Sequence, residues 1–137
     1  MAKPTSVAGV CGRLGISVAR ILVKCCFCGN YLSETDKIAF DFKDLGLFVR
    51  GGRLLGICER CCLLRSASDC ASNIKCCLEL DGVLKFTGES LENLVVRCSR
   101  CMRKLSVTEK LACWYQREPL VLVRDYWRGC CRLCRLP

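Results

Sequence analysis

The sequence predicts a small α+β protein that contains one cysteine-rich module twice, each copy with a short antiparallel sheet and short helices, joined by a connecting helix. Three observations lead there. Four Cys-x-x-Cys knuckles stand in one register: Cys25–Cys28, Cys58–Cys61, Cys98–Cys101 and Cys131–Cys134. A step of 73 residues carries the first two onto the last two, and successive knuckles are separated by 29, 36 and 29 residues. Stray cysteine pairs would not keep equal gaps, so the chain is an internal duplication. Each first knuckle is followed by a helix-start signature, Ser33-x-x-Asp36 and Ser106-x-x-Glu109. Finally, hydrophobic residues make up 52% of the 137. That is too apolar for a disordered tail, yet each module is small enough that a core alone rarely holds it.

The cysteines supply the missing constraint. An exported disulfide scaffold would carry a signal peptide. Val7 to Val23 is apolar but interrupted by Arg13 and Arg20 with no cleavage signature, so a reducing compartment is expected. No stretch reaches the roughly 20 apolar residues that span a bilayer, so no membrane partner is expected. Two thiolates three positions apart can bind one ion from a tight turn, and two such turns complete the four-sulfur tetrahedron of structural Zn²⁺. Cys25, Cys28, Cys58 and Cys61 form the first set of ligands, and Cys98, Cys101, Cys131 and Cys134 the second. With no histidine in the chain, a mixed Cys/His site of the RING type is excluded. Four thiolates also close the coordination shell, so the two ions are structural. The eight other cysteines (Cys11, Cys26, Cys62, Cys70, Cys76, Cys77, Cys113 and Cys130) read as small buried hydrophobes or free thiols. A catalytic thiolate would want a basic partner such as histidine, and no phosphate loop or nucleophile elbow appears. The chain is not expected to be an enzyme.

Element by element, residues 1–24 are expected as a partly helical arm, with Val10 to Leu22 amphipathic. Residues 25–61 are the first zinc module. Its helix starts at Ser33 and presents Ile38, Phe42 and Leu45 as an apolar face. Leu47–Arg50 and Arg53–Ile57 then form a hairpin around Gly51-Gly52. Residues 62–97 are a helical connector, in which Leu63, Ala67, Cys70, Ile74 and Cys77 recur at helical spacing. Asp81-Gly82 breaks that helix, and Gly88 to Leu94 form a further turn. Residues 98–137 are the second zinc module, with a helix from Ser106 and a first strand at Leu120–Arg124.

Formal charge is +9, and each four-thiolate zinc site lowers it by two, to +5. Residues 98–137 hold nine basic and three acidic groups, a local excess of +6. Arg117, Arg124, Arg128, Arg132 and Arg135 could form a patch that meets phosphates or acidic peptides. A zinc-finger transcription regulator with weak, non-specific nucleic-acid binding is therefore the alternative reading.

The knuckle ladder, together with Phe40-x-Phe42-Lys43-Asp44-Leu45, Arg97 before the third knuckle and Trp127-x-Gly129 before the fourth, resembles papillomavirus early protein six, from about Leu22 to Cys134. That resemblance implies a viral early regulatory oncoprotein without catalysis of its own. Such proteins trap acidic LxxLL helical peptides of host proteins in a groove formed by both zinc modules and the connecting helix. The partners it implies are a Mastermind-like coactivator of Notch signalling, a HECT-type ubiquitin ligase or a paxillin-like adaptor. Carried over by position, the groove is Phe27, Leu45, Phe48, Ile57, Cys62 and Val95, with Arg97 and Arg124 as its basic contacts. Arg65 and Asp69 put charges at two further groove positions. Phe42 matches a position linked to self-association, which implies a weak homodimer. The chain stops at Cys134-Arg135-Leu136-Pro137, unlike a PDZ-binding tail, so PDZ partners are not expected and the Mastermind-binding branch fits better than the ligase-binding one. Host nucleus and cytoplasm are the expected locations.

Overall fold

Backbone hydrogen bonds repeat at the same 73-residue step as the cysteines, and they extend the repeat further along the chain. The computed structural model describes residues 5–135. The chain divides after Cys62 into two compact units.

In the first unit, α1 (Val7–Leu14) starts where the Ser6 hydroxyl accepts from the Gly9 amide, 2.9 Å, and ends at Gly15 in the left-handed conformation. Its free first amides, on Val7 and Ala8, donate to the Asp41 carboxylate at 2.7 and 2.9 Å. β1 (Lys24–Cys25) leads through the first knuckle to α2 (Glu34–Phe42), which has a complete Ser33/Asp36 capping box. β2 (Phe48–Arg50) and β3 (Arg53–Gly56) form the hairpin. Gly51 and Gly52 both have positive φ, 60° and 75°, as a two-residue hairpin turn requires. β1 joins β3 in parallel, giving the order β1-β3-β2. Val7, Cys11, Ile21, Val23, Leu32, Phe40 and Leu47 make the core.

α3 (Glu59–Asn73) starts at the second knuckle and is followed by β4 (Ile74–Leu78). The rest of the second unit is α4 (Leu80–Thr87), β5 (Val96–Cys98), α5 (Val107–Tyr115), β6 (Leu120–Val123), β7 (Tyr126–Gly129) and α6 (Arg132–Arg135). Its sheet runs β4-β6-β7-β5, with β5 parallel to β7 and the other pairs antiparallel. Leu80, Val83, Leu94, Val96, Leu105, Cys113, Leu120 and Trp127 are its core.

α1 and α4 are counterparts, because Val7 and Leu14 map onto Leu80 and Thr87 at the 73-residue step. Gly15 and Gly88 cap them in the same left-handed conformation. Residues 7–24, expected as an arm, therefore furnish part of the first unit's core. The end of the expected connector does the same for the second: Val23 and Val96 are both fully buried.

Two expected apolar stripes are not the buried faces. α2 buries Lys37 and Phe40, leaves Ile38 and Phe42 59% and 64% exposed, and ends before Leu45. The capping box fixes the helix phase, and Lys37 buries its stem while its ammonium donates to the Val18 carbonyl, 2.8 Å. On the connector, Leu63 and Ile74 are 44% and 51% exposed. The buried face of α3 carries Cys62 and Ser66 instead, with half-buried Asp69 and Cys70 beside them. The helix stops at Asn73 because β6 offers an open edge, and Ile74–Leu78 pairs with it as a strand. Asp81-Gly82 sits inside α4 and breaks nothing.

Gly56 and Gly129, matched by the repeat, each sit against the core. A methyl on Gly129 would lie 2.7 Å from a Leu120 methyl, and one on Gly56 3.1 Å from the Phe40 ring. Leu120 is fully buried and Phe40 nearly so. Gly129→Ala is expected to destabilise the protein by about 1–3 kcal/mol and Gly56→Ala by less, read from denaturant unfolding of the zinc-loaded chain.

Candidate metal centres

The knuckles are tight turns that aim sulfurs and amides inward together. Cys25 and Cys98 end β1 and β5, and Gly29 and Met102 take matched positive φ values of 77° and 69° to close each turn. Their amides return to the Cys25 and Cys98 carbonyls at 3.0 and 3.1 Å. The strand pairing then delivers the second knuckle: Cys26 and Ser99 donate to the carbonyls of Gly56 and Gly129, just ahead of Cys58 and Cys131.

The acids of the two capping boxes lock this arrangement. Asp36 accepts from the Glu59 amide, 3.3 Å, and Glu109 from the Arg132 amide, 2.7 Å. These are again matched positions, one residue after the third ligand of each set. Glu109 also pairs with Arg103. Burial alone would raise its carboxyl, but the Ser106 and Arg132 amides and the Arg103 guanidinium hold it down to about 2. This double role of the helix-start acids was not read from the sequence, although the shared 73-residue step to Glu59 and Arg132 was there to be seen.

The outcome is two four-cysteine groups, Cys25/Cys28/Cys58/Cys61 and Cys98/Cys101/Cys131/Cys134, each with all its sulfurs within 4.8 Å of one another. A tetrahedral zinc about 2.3 Å from each sulfur needs sulfurs roughly 3.8 Å apart. Cys28 and Cys58 are 3.9 Å apart and Cys101 and Cys131 3.7 Å, so the donors fit the ion. Backbone N–H groups of Cys61, Arg100 and Cys134 point at Cys58, Cys98 and Cys131 at 3.4–3.5 Å, the contacts that stabilise thiolates. A hydrogen bond from Cys101 holds the Cys98 thiol down to about 4 and pushes Cys101 up. Burial pushes Cys61 and Cys134 up to about 12 and raises Cys58. A zinc ion held by the four cysteines of either group would supply a structural crosslink, since the four sulfurs would take every coordination position.

Among the other cysteines, Cys11, Cys62 and Cys113 are buried, Cys70 and Cys130 half-buried, and Cys26, Cys76 and Cys77 exposed. Cys70, Cys76 and Cys77 join no metal-holding group among the described residues.

The residues carried over as peptide contacts have diverse settings. Phe27, Phe48 and Val95 are 49%, 40% and 50% exposed. Leu45 and Ile57 are half-buried against the first core, and Cys62, 3% exposed, offers little surface to a partner. Arg97 donates to the Met102 carbonyl, 2.8 Å. Arg124 lies at the β6–β7 turn with φ 56°, where the first unit has Gly51. Its Nε and Nη2 reach one oxygen of Asp69 at 3.2 and 3.1 Å, and Asn73 donates to that same oxygen. The Arg124 guanidinium holds the Asp69 carboxyl below the usual range. This pairing was invisible in the sequence, because 55 residues separate the partners.

The basic patch expected in the second module is mostly engaged within its own unit. Arg117 pairs with Glu79, Arg124 with Asp69 and Arg135 with Glu118, while buried Arg128 reaches Ser66 and Asp69. No helix among the described residues is long and apolar enough to cross a membrane.

A family model described as Early Protein (E6) matches residues 25–134. Protein E6 of human papillomavirus 19 is 35% identical over 132 residues, covering 96% of this chain and 80% of that protein. Protein E6 of the Mastomys natalensis papillomavirus is 37% identical over 123 residues, covering 90% and 91%. Protein E6 of human papillomavirus type 49 is 32% identical over 140 residues and covered almost entirely, as is this chain, at 99% each.

Metal analysis is expected to find two zinc ions per chain, and Cys98→Ser to lose one together with the fold of the second unit. Near pH 7 the raised thiols, Cys58 and Cys61 in one site and Cys101 and Cys134 in the other, hold protons that zinc must displace. Each ion should therefore release at least two protons, and its apparent binding constant should fall about a hundredfold or more per unit of acidification. Calorimetry in buffers of different ionisation enthalpy reads that count.

Proposed function

The chain belongs to the papillomavirus early protein E6 family, and on that premise we propose that it is a non-catalytic adaptor that captures acidic helical LxxLL peptides of host proteins. The family and its relatives are papillomavirus early proteins, and the resemblance implies regulators that work through host proteins. The observation that carries the finer reading is the exposure of large apolar side chains at contact positions: Phe27, Phe48 and Val95 stand out from both cores. The Arg124 side chain, 61% exposed, supplies positive charge for a peptide's acids.

Energetics are consistent with that role. Burying one leucine contributes about 1.5–3 kcal/mol, so three give roughly 4.5–9 before ordering costs. Micromolar affinity corresponds to about 8.2 kcal/mol. The arginines would then set orientation and association rate more than affinity. Asp69 bears directly on this, because it already occupies part of Arg124 and lowers the local positive charge. A peptide acid has to share Arg124 with it.

In this reading, capture redirects host transcription, signalling or ubiquitin-mediated degradation. A Mastermind-like coactivator is the first partner to test, with a HECT-type ligase and a paxillin-like adaptor behind it. At 15.3 kDa the protein is small enough to diffuse through nuclear pores, and we place it in both host nucleus and cytoplasm. Phe42, 64% exposed on α2, is the proposed self-association contact. Nucleic acid is the weaker reading, since so much of the second unit's arginine charge is spent on intrachain carboxylates.

Fluorescence polarisation of the zinc-loaded protein with labelled LxxLL peptides from a Mastermind-like coactivator and a HECT-type ligase tests the reading. Micromolar binding to at least one, weakened by Arg124→Ala, is expected. Asp69→Asn should tighten the acidic peptide by about two- to fivefold, the scale of an exposed charge pair. If neither peptide binds protein carrying two zinc ions, the adaptor reading is wrong.

A further inference from the structure

The first unit carries an apolar pocket that shares no residue with the metal groups or with the peptide contacts carried over above. Leu14 at the end of α1, Ile21, Leu22, Lys24 in β1, Tyr31 after the first knuckle, and Arg53 and Leu54 in β3 enclose about 340 Å³. That is room for one or two large side chains. The lining is more exposed than a core would leave it: Leu14 is 61%, Leu22 66% and Tyr31 59% exposed. Leu22 lies between Ile21 and Val23, which are 5% and 0% exposed. Extended alternation turns it outward, and the core gains nothing from it.

The charge at this pocket has one sign. Among the described residues, Lys24 and Arg53 are the charged groups that line it, and none of the lining residues is a carboxylate. Lys24 extends its ammonium to 6.0 Å from the centre of the Tyr31 ring, a cation–π placement that holds it at the rim. Clustered exposed apolar side chains mark interaction surfaces, and an uncompensated cationic rim selects against basic partners.

We propose that this pocket is a second docking site, for an acidic peptide segment of a partner protein. An aliphatic or aromatic side chain of the segment fills the space between Leu14, Leu22 and Tyr31, and its flanking carboxylates meet Lys24 and Arg53. The apolar lining disfavours a nucleic-acid backbone, which would need a denser cationic track. The site stands whether or not the LxxLL reading holds, because the two share no residue.

The test uses the full zinc-loaded chain, ¹⁵N-labelled, titrated with the peptide Glu-Asp-Leu-Glu-Phe-Asp-Glu, which contains no LxxLL. A twin with every acid replaced by its amide serves as control. Amide shifts are expected at Leu14, Leu22, Lys24, Tyr31 and Arg53, and not at Phe27, Val95 or Arg124. Leu22→Ser should weaken binding about tenfold, and Lys24→Glu or Arg53→Glu up to about fivefold each, with zinc content still two per chain. Overturning results would be no shifts up to about 1 mM peptide, shifts confined to other residues, or equal binding of the amide twin. Concentration-dependent shifts at these residues without peptide would identify a second copy as the occupant. Tighter binding of a short single-stranded DNA at the same residues would identify nucleic acid. Either result would overturn the peptide assignment.

Discussion

Four sulfurs have to meet within 4.8 Å, although two of them come from a knuckle some thirty residues away in the chain from the other two. In each unit the short parallel pairing of β1 with β3, or β5 with β7, brings the distant knuckle home. Gly56 and Gly129, at the ends of β3 and β7, have no side chain because core atoms already fill that space. The helices α2 and α5 contribute through their first turns, where one acid satisfies both its own cap and the amide beside the third ligand. Among the described residues and apart from the ligand cysteines, each core has seven or eight buried side chains, which is modest for a stable fold. A metal–thiolate crosslink between the two knuckles of each unit would compensate, because metal binding energy would then be folding energy.

The duplication keeps this scaffold and lets the rest diverge. Lys37 and Lys110 make the same buried bond to the carbonyls of Val18 and Leu91, at 2.8 and 2.7 Å. Gly51 in one hairpin becomes Arg124 in the other, still with positive φ. That exchange places a guanidinium where the first unit has bare backbone. It also accepts backbone strain, which the bonds from Arg124 to Asp69 and the Asn73 carbonyl help to offset. β4 extends the second sheet to four strands.

Charge is arranged differently in the two units. In the second unit, Arg103, Arg117, Arg124, Arg128 and Arg135 each lie beside a carboxylate of the same unit, so a phosphate backbone would meet them already partnered. In the first unit, Lys24 and Arg53 line an apolar pocket with no acid among its described residues. Local arrangement, rather than net charge, decides which partners each surface favours.

The sequence alone determined the two metal groups, the duplication, both capping boxes and the Gly51-Gly52 hairpin, because each depends on residues close together in the chain or on an exact spacing. Family membership followed from the same ladder. Only the tertiary structure decided which helix faces are buried. Periodicity put Ile38, Phe42 and Leu63 inside, whereas cap phase and neighbouring elements buried Lys37, Phe40 and Ser66. Only the tertiary structure, likewise, turned Ile74–Leu78 into a strand, since a strand exists where a partner edge is open, and that edge lies over forty residues away in sequence. The extension of the repeat back to Val7 and Leu80 was hidden because α1 and α4 share positions and a C-terminal glycine cap more than residue types. The pairing of Asp69 with Arg124 had no local signal, because an ion pair between distant residues is made by packing.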